Sequence, residues 1–306
     1  MADADGKGRL RERLEFLGAI AAVMPLGALP ERIAFAVGRF LGRVWYAVDA
    51  RHRKIALENL TRAFGSRMTA AEREALARSH FIHLGYTFIE TCRLRGLTAA
   101  RLREVIRVEG LEHMERARAR GRGIVLVTGH FGSWEVLGRA VPLLIGETLA
   151  LVARPLDNSL LDTWIAGIRT AGGNQVIPKR HAFRGVIGRL RAGGIVGMLI
   201  DQNVAREQGV FVDFLGTPAC TTTAATMAAR RTGAALLPVV CPRHAPGRFT
   251  VRFEKEIPVA VTGDVHRDIV AATAEATAAL AAFIREHPEQ WFWVHRRWKT
   301  RPAGEE

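Results

Sequence analysis

The chain has 306 residues, 48% of them apolar, and carries a formal net charge of +14. That apolar share excludes a disordered chain, and the length suits one large domain or two small ones. The basic balance points to an anionic partner, whether nucleic acid, a lipid surface or an acidic protein or substrate, with an Arg- and Ala-rich composition as the competing explanation.

The first apolar run, "FLGAIAAVMPLGALP" (16–30), carries no charge and is shorter than the roughly 20 residues that span a bilayer. Pro25 and Gly27 are expected to break it. A second run, "IAFAVGRFLGRVWYAV", places Arg39 and Arg43 four apart on one helical face and Trp45 and Tyr46 near its end. Arg9, Arg11 and Arg13 precede the pair of runs. Basic residues on both sides argue against crossing, since Lys and Arg favour the cytoplasmic side. The pattern predicts a helix or helical hairpin in the interface, its arginines toward lipid phosphates. A core helix pair, a single extended spanning anchor and a cleaved signal peptide are the competing readings, the last weakened because no small-residue cleavage site precedes the next helix.

Residues 1–50 thus read as a membrane-associated helical segment, and 51–306 as the main domain. "RHRKIALENLTRAF" has helical apolar spacing at Ile55, Leu57, Leu60 and Phe64. "TAAEREALARSHFIHLGYTFIETCRL" is a long helix, opened by Thr69 with Glu72 three residues on, a capping-box pattern. From Val105 short β-type runs ("VIRVEG", "GIVLVTG", "TLALVARP", "NQVIP", "GIVGMLI", "ALLPVVCP", "FTVRFEKEI") alternate with helical stretches near 111–120, 133–145, 157–171, 181–192 and 221–232, and a long helix follows at about 264–286. Such alternation predicts an α/β fold, a mostly parallel or mixed central sheet flanked by helices. "DQNVAREQGVFVDFLG" reads as a long loop, of a length often functional. Cys92, Cys220 and Cys241 form no C-x-x-C pair and no zinc-ligand spacing, so they read as reduced, buried thiols with no metal site and no disulfide framework.

The chemistry concentrates in "GIVLVTGHFGSWEVLGRAV" (123–141). A buried strand ends at Thr128-Gly129 and at once presents His130, at the strand's carboxyl end, where open α/β sheets place their ligands. Five residues of continuous helix turn a side chain by about 140° net, so His130 must precede the helix for Glu135 to reach it. Ser133 is then the N-cap, and Glu135 falls in the first turn, where the dipole favours a carboxylate. A carboxylate behind an imidazole fixes its tautomer and raises the basicity of the other ring nitrogen, the equipment of a general base acting on a hydroxyl. Gly129 and Gly132 permit close approach of a substrate and offer backbone N–H donors. A turn histidine with local hydrogen bonds only is the alternative. G-x-x-G without the third glycine, and a next strand ending at Arg154 in place of an acidic residue, argue against a dinucleotide site. H-E-x-x-H is absent.

Here the sequence resembles a known family. "HFGSWE" is similar to the H-x4-D/E motif of glycerolipid-type acyltransferases. More narrowly, "ALENLTRAF", "TGHFGSWE", "ARPLDNSLLD", "IDQN" with "GVFVDFLGTPACTTTA", "TGAALLPV" and the terminal "PEQWFWVHRRWKTRP" resemble, in order, the late acyltransferases of bacterial lipid A biosynthesis. The terminal W-x-H-R-R-W-K block is more specific than H-x4-E alone, and the N-terminal apolar segment is more interrupted than the anchor usual in the family. The resemblance implies transfer of a fatty acyl chain from acyl carrier protein to a lipid hydroxyl, at the cytoplasmic face of the inner membrane, with no cofactor because a thioester is already activated. It implies His130 as base and Glu135 as its orienting partner. Arg154 and Asp201 match acceptor- or phosphate-handling positions. Phe131 and Trp134 within the motif, with Gln202 and Gly216, would shape the substrate pocket.

An acidic carrier protein and anionic headgroups both suit a charge of +14. "WFWVHRRWK" reads as an aromatic-basic contact for acidic lipid or carrier, or as tryptophans docking into the core; nucleic-acid stacking is the least favoured reading. The expected partners are therefore acyl carrier protein, anionic lipids and a lipid acceptor, not nucleic acid. Competing functions are the same transfer to an aminolipid or a mannosylated phospholipid, and a basic membrane adaptor that binds carrier without turnover.

Overall fold

In the computed structural model the described residues are 2–178 and 182–304, with side chains described from residue 10 onward. Four helices come first: α1 (Ala2–Ala28), α2 (Glu31–Val48), α3 (Ala50–Phe64) and α4 (Ala70–Leu94). Pro25 does not end α1, contrary to expectation. The last turn of α1 is buttressed by α4: Gly27 lies against the Cys92 carbonyl, and Arg93 Nη1 donates to the Leu29 carbonyl at 2.5 Å. The capping box at Thr69 and Glu72 forms as read, with Thr69 N–H donating to Glu72 Oε2 at 2.7 Å and Glu72 N–H to Thr69 Oγ1 at 3.2 Å. Helices α2 and α4 cross closely because Gly38, Gly42 and Gly85 face one another, and a Cβ at Gly85 would strike the Gly38 carbonyl.

The α/β part follows: α5 (Ala99–Val105), β1 (Ile106–Glu109), α6 (Leu111–Ala119), β2 (Ile124–Thr128), α7 (Trp134–Ile145), β3 (Leu149–Ala153), α8 (Ser159–Thr170), β4 (Gln175–Pro178), α9 (Ala182–Arg191), β5 (Ile195–Leu199), β6 (Gly209–Phe214), β7 (Thr217–Thr222), α10 (Ala224–Thr232), β8 (Ala235–Val240), β9 (Arg243–Ala245), β10 (Arg248–Phe253) and α11 (Val265–Glu286). The start expected for α9, residue 181, lies outside the described residues. The main sheet runs β1-β10-β8-β2-β5-β3-β4, with β9 on β10. From β8 to β4 every pairing is parallel, β10 is antiparallel to β8, and β1 is parallel to β10. The sheet is therefore mixed with a parallel centre, as the alternation predicted.

Strand β2 shows why the sheet needs helices on both faces. Ile124 and Leu126 enter the core under α5–α8, while Val125 and Val127 enter the one under α9–α11. Alternate side chains of one strand thus serve two hydrophobic layers. A third cluster joins α3, α4, the β6–β7 hairpin and the C-terminal segment, with Phe81, Phe131, Phe214, Trp291, Trp293 and Trp298 buried together.

Two elements depart from the sequence reading. The segment taken as a long loop is irregular only as far as residue 208; its second half is β6, paired antiparallel to β7 through a tight turn at Leu215 and Gly216, both at positive φ (58° and 92°). That is the backbone of a two-residue hairpin, where glycine is favoured. The C-terminal segment is neither strand nor surface belt. Trp291, Trp293 and Trp298 are buried, as is Arg297, so core docking is the correct reading for the tryptophans.

Candidate active site

The site follows from the register of two central strands. Thr128 pairs with Leu199 at the carboxyl ends of β2 and β5. His130 and Asp201 each stand two residues beyond that pair and meet side by side. His130 Nδ1 lies 2.8 Å from Asp201 Oδ1, and the His130 backbone N–H donates to Asp201 Oδ2 at 2.7 Å. The Trp291 indole N–H donates to the same Oδ2 at 2.8 Å. Asp201 is almost sealed, its side chain 2% exposed, whereas the His130 side chain is 22% exposed. Burial pushes the Asp201 carboxyl up, but the His130 ring, the indole and the His130 N–H outweigh it and hold the carboxyl below its usual range. An ionised Asp201 accepts at Nδ1, so Nδ1 carries the proton and Nε2 is left with a lone pair toward solvent. The Gln202 side-chain amide sits 3.4 Å from that Nε2.

Glu135 does not orient His130. It occupies the first turn of α7 as expected, but both its oxygens are engaged by Arg169 of α8, at 2.6 Å from Nη2 and 3.1 Å from Nε. Burial opposes the Arg169 charge, yet the pair with Glu135 outweighs it and raises the guanidinium above its ordinary value. The space between His130 and α7 is filled instead by the Trp134 ring, edge-on to the imidazole at 5.4 Å. The carboxylate behind the imidazole is Asp201, read from sequence as an acceptor-handling residue. Ser133 holds the N-cap position without capping; its hydroxyl donates to Glu90 Oε2 at 2.7 Å.

Of the two backbone donors expected of the glycine-rich turn, that of Gly132 is spent, as is that of Ser133 beside it. Gly132 N–H donates to the Gln290 carbonyl at 3.0 Å and Ser133 N–H to the Cys241 carbonyl at 2.8 Å. Gly129 is small because a Cβ there would press on Leu280 and on Asp201. Gly132, at φ 59°, faces the Cys241 carbonyl so closely that no Cβ fits. Phe131 is buried against Phe283 and so points away from any substrate. Arg154 lies past the carboxyl end of β3, two strands from β2 or about 10 Å by strand spacing; its side chain is 78% exposed and pairs with Asp157. Gly216 belongs to the hairpin turn and does not line the groove described next.

An apolar groove of about 270 Å³ begins at Trp134 and Phe292, the two rings that contact His130. It continues along Leu84, Thr87, Phe88, Thr91 and Cys92 of α4 and Trp164 and Ile165 of α8, closed by Val23 of α1 and Trp45 of α2. Among the described residues no group of His, Cys, Asp and Glu could hold a metal ion.

Two sets of residues escaped the sequence reading. One is the buried ion pair of Arg243 with Glu90, whose guanidinium also meets His83 Nδ1, Thr87 and the Ser133 hydroxyl. The other is the terminal block as scaffold for the Asp201 loop. The sequence signal for the first was an uneconomical polar residue inside an apolar pattern, as at Glu90 in "TFIETC"; for the second it was the family motif, which did not show its scaffolding role.

Residues 8–300 match the bacterial lipid A biosynthesis acyltransferase family. The chain belongs to this family. It is 31% identical over 281 residues to the lipid A biosynthesis palmitoleoyltransferase of Escherichia coli K12, covering 90% of this chain and 88% of that one. It is likewise 31% identical over 280 residues to the lipid A biosynthesis lauroyltransferase of the same organism, with the same coverage. It is also 31% identical over 290 residues to a phosphatidylinositol mannoside acyltransferase of Mycobacterium tuberculosis, covering 91% of this chain and 86% of that one. A solved 1-acyl-sn-glycerophosphate acyltransferase from Thermotoga maritima superposes weakly, with a TM-score of 0.40 at 13% identity over 86% of this chain. The protein is an acyltransferase.

Proposed function

We propose that the protein transfers a fatty acyl chain from acyl carrier protein to a hydroxyl of a lipid A precursor at the cytoplasmic face of the inner membrane, without a cofactor. The observation that carries the reading is a partly exposed imidazole whose Nδ1–H is held by a buried carboxylate, at the mouth of an apolar groove that suits a hydrocarbon chain. His130 Nε2 takes the proton of the acceptor hydroxyl, and the resulting oxygen nucleophile attacks the thioester carbonyl. The tetrahedral intermediate collapses with loss of the carrier's thiolate, which takes the proton back from the imidazolium. The Gln202 amide is the nearest side-chain donor for the oxyanion, since the backbone donors of residues 130, 132 and 133 are already committed. Asp201 keeps the imidazole in the productive tautomer.

Membrane attachment is supported by the apolar residues that α1 and α2 leave exposed: Leu10, Leu14, Leu17 and Met24 on the first, Ile33, Phe40, Leu41, Val44 and Val48 on the second. Phe88, on the groove wall, Leu156 before α8 and Leu160 in its first turn are also exposed. Among the described residues no helix is long and apolar enough to cross a membrane. The exposed apolar residues of the two helices suit the interface plane, with Arg39 and Arg43 exposed to meet phosphates.

The mycobacterial relative favours one second reading, the same transfer to a mannosylated phospholipid. Both are tested by incubating purified protein with acyl carrier protein thioesters and either acceptor, and by mass spectrometry of lipids from a deletion strain. A lipid A species lacking one acyl chain in that strain supports the first reading; unchanged lipid A with altered phospholipid overturns it.

A further inference from the structure

We propose that Trp291 is a positioning residue, whose indole N–H sets the charge distribution of Asp201 and through it the pH range in which His130 works as a base; the inference rests on the base role of His130 proposed above. The geometry divides the work between the two oxygens of Asp201. Oδ1 faces the imidazole Nδ1 alone, while Oδ2 takes two neutral donors, the His130 backbone N–H at 2.7 Å and the Trp291 indole at 2.8 Å. The indole is thus the one donor among these three that comes from outside residue 130.

Nothing about Trp291 is loose. Its ring lies edge-on to Trp293 at 4.6 Å and to Phe214 at 5.1 Å, and its backbone bridges to Phe131. The next residue donates its N–H to the His130 carbonyl at 3.0 Å. Further along the same segment, Asn203 N–H donates to His295 Nε2 at 2.9 Å, Arg297 Nη1 donates to the Gln202 carbonyl at 3.3 Å, and Thr300 exchanges hydrogen bonds with Asn203. One segment therefore holds both the histidine turn and the aspartate loop. An aromatic-basic surface motif would need these side chains outside; here they are spent on the dyad's scaffold.

The groups facing the pair are few. His295 is held below its ordinary value, chiefly by burial, and uses Nε2 as an acceptor, so it is neutral. Burial lowers the Arg297 guanidinium to about 10, which leaves it a cation at neutral pH. From α11 the facing side chain is Leu280, which is apolar, and from β7 Arg297 is met by the Cys220 carbonyl. Removing the indole N–H leaves the Asp201 charge less dispersed. A less dispersed carboxylate favours the imidazolium beside it. The acid limb of the rate profile then moves to higher pH, and the rate lost along that limb recovers in alkali.

The test is the pH dependence of kcat, with acyl carrier protein thioester and lipid acceptor, for the parent, for Trp291→Phe and for a variant carrying benzothienylalanine at position 291 by stop-codon suppression. The last keeps the bicyclic shape and lacks the N–H. We expect both variants to move the acid limb up by about half to one pH unit, part of the one to two units that a hydrogen bond to a charged group is worth, because the indole acts on the imidazole only through Asp201. Along the acid limb kcat falls by about three- to tenfold, KM stays within about twofold, and the deficit closes toward pH 9. A deficit equal at all pH values would mark Trp291 as packing only and overturn the proposal, as would an unshifted limb in the benzothienyl variant, which decides the matter if Trp291→Phe fails to fold. His130→Ala run alongside separates the two levels. If it keeps parental activity, the base reading itself is wrong; if it is silent while the Trp291 variants keep the parental limb, only the present inference falls.

Discussion

At the residue scale, the decisive fact is which carboxylate stands behind His130. Sequence spacing nominated Glu135, and the fold supplies Asp201, sealed under the sheet edge while Glu135 is taken by Arg169. His130→Ala is expected to lower turnover by about 10²–10⁴-fold with the fold intact, the usual range for a general base; a folded variant at near-parental rate would remove His130 from the mechanism. Asp201→Asn makes a sharper demand. Either amide position brings an NH₂ group against an existing donor, Nδ1–H on one side or two N–H groups on the other. Relief on the Oδ1 side requires the other imidazole tautomer, with the proton on Nε2 and no base left. Turnover should fall by about 10²–10⁴-fold with little change in KM. Steady-state kinetics on protein of verified thermal stability would check it, and a loss under threefold would mean the carboxylate is dispensable.

At the scale of elements, α4 carries two duties on two faces. Leu84, Phe88 and Thr91 wall the groove, while Glu90 and His83 join Arg243 of β9 beneath the histidine turn. The ion pair is about 5% exposed on both sides, so removing one partner strands a buried charge. Glu90→Gln should destabilise the fold by about 3–5 kcal/mol, read as a lowered denaturant midpoint. Ser133→Ala breaks one hydrogen bond to the same carboxylate and should cost about 1–2 kcal/mol. Equal midpoints for Glu90→Gln and parent would show that Arg243 finds other partners. The N-terminal pair of helices calls for a different treatment from simple deletion. Removing residues 1–48 would strip Val23 and Trp45 from the groove and uncover the Gly85 face of α4, so lost activity would not report on the membrane. Phe40→Glu with Val44→Glu alters only exposed positions. If α2 lies in the interface, each buried side chain contributes about 1.5–3 kcal/mol to attachment. Binding to anionic vesicles should then drop by at least tenfold, with activity on detergent-dispersed acceptor preserved. Unchanged sedimentation with vesicles would exclude α2 as the attachment face.

For the whole molecule, the net charge of +14 is the property no single site explains. If it draws in an acidic carrier protein, the apparent KM for the donor should rise between low and physiological salt, as exposed charges become screened beyond about 8–10 Å. The effect on kcat should be small, because the exposed charges that dock a carrier are not those of the His130–Asp201 pair. Salt-insensitive donor kinetics, or a preference for coenzyme A thioesters, would assign the charge to lipid headgroups alone.

How much of this was legible beforehand differs by the range of the interactions involved. Local order was: the capping box at Thr69, the alternation of strands and helices from Val105, and His130 at a strand end all follow from short-range sterics and apolar periodicity, which each segment carries in itself. The β6 strand was missed although "GVFVDF" is rich in β-branched and aromatic residues, because its partner lies past a turn whose positive φ angles only pairing reveals. The family motifs brought His130, Asp201 and the terminal block to attention, but not their arrangement. Residues 130 and 201 meet because β2 and β5 lie side by side in register, and Trp291 reaches Asp201 because the chain's last segment folds back over both. Glu135 pairs with Arg169 because α7 packs beside α8. The residues available for chemistry were written in the chain. Which carboxylate serves which base depended on strand order and helix packing, contacts between segments far apart in sequence that no local pattern encodes.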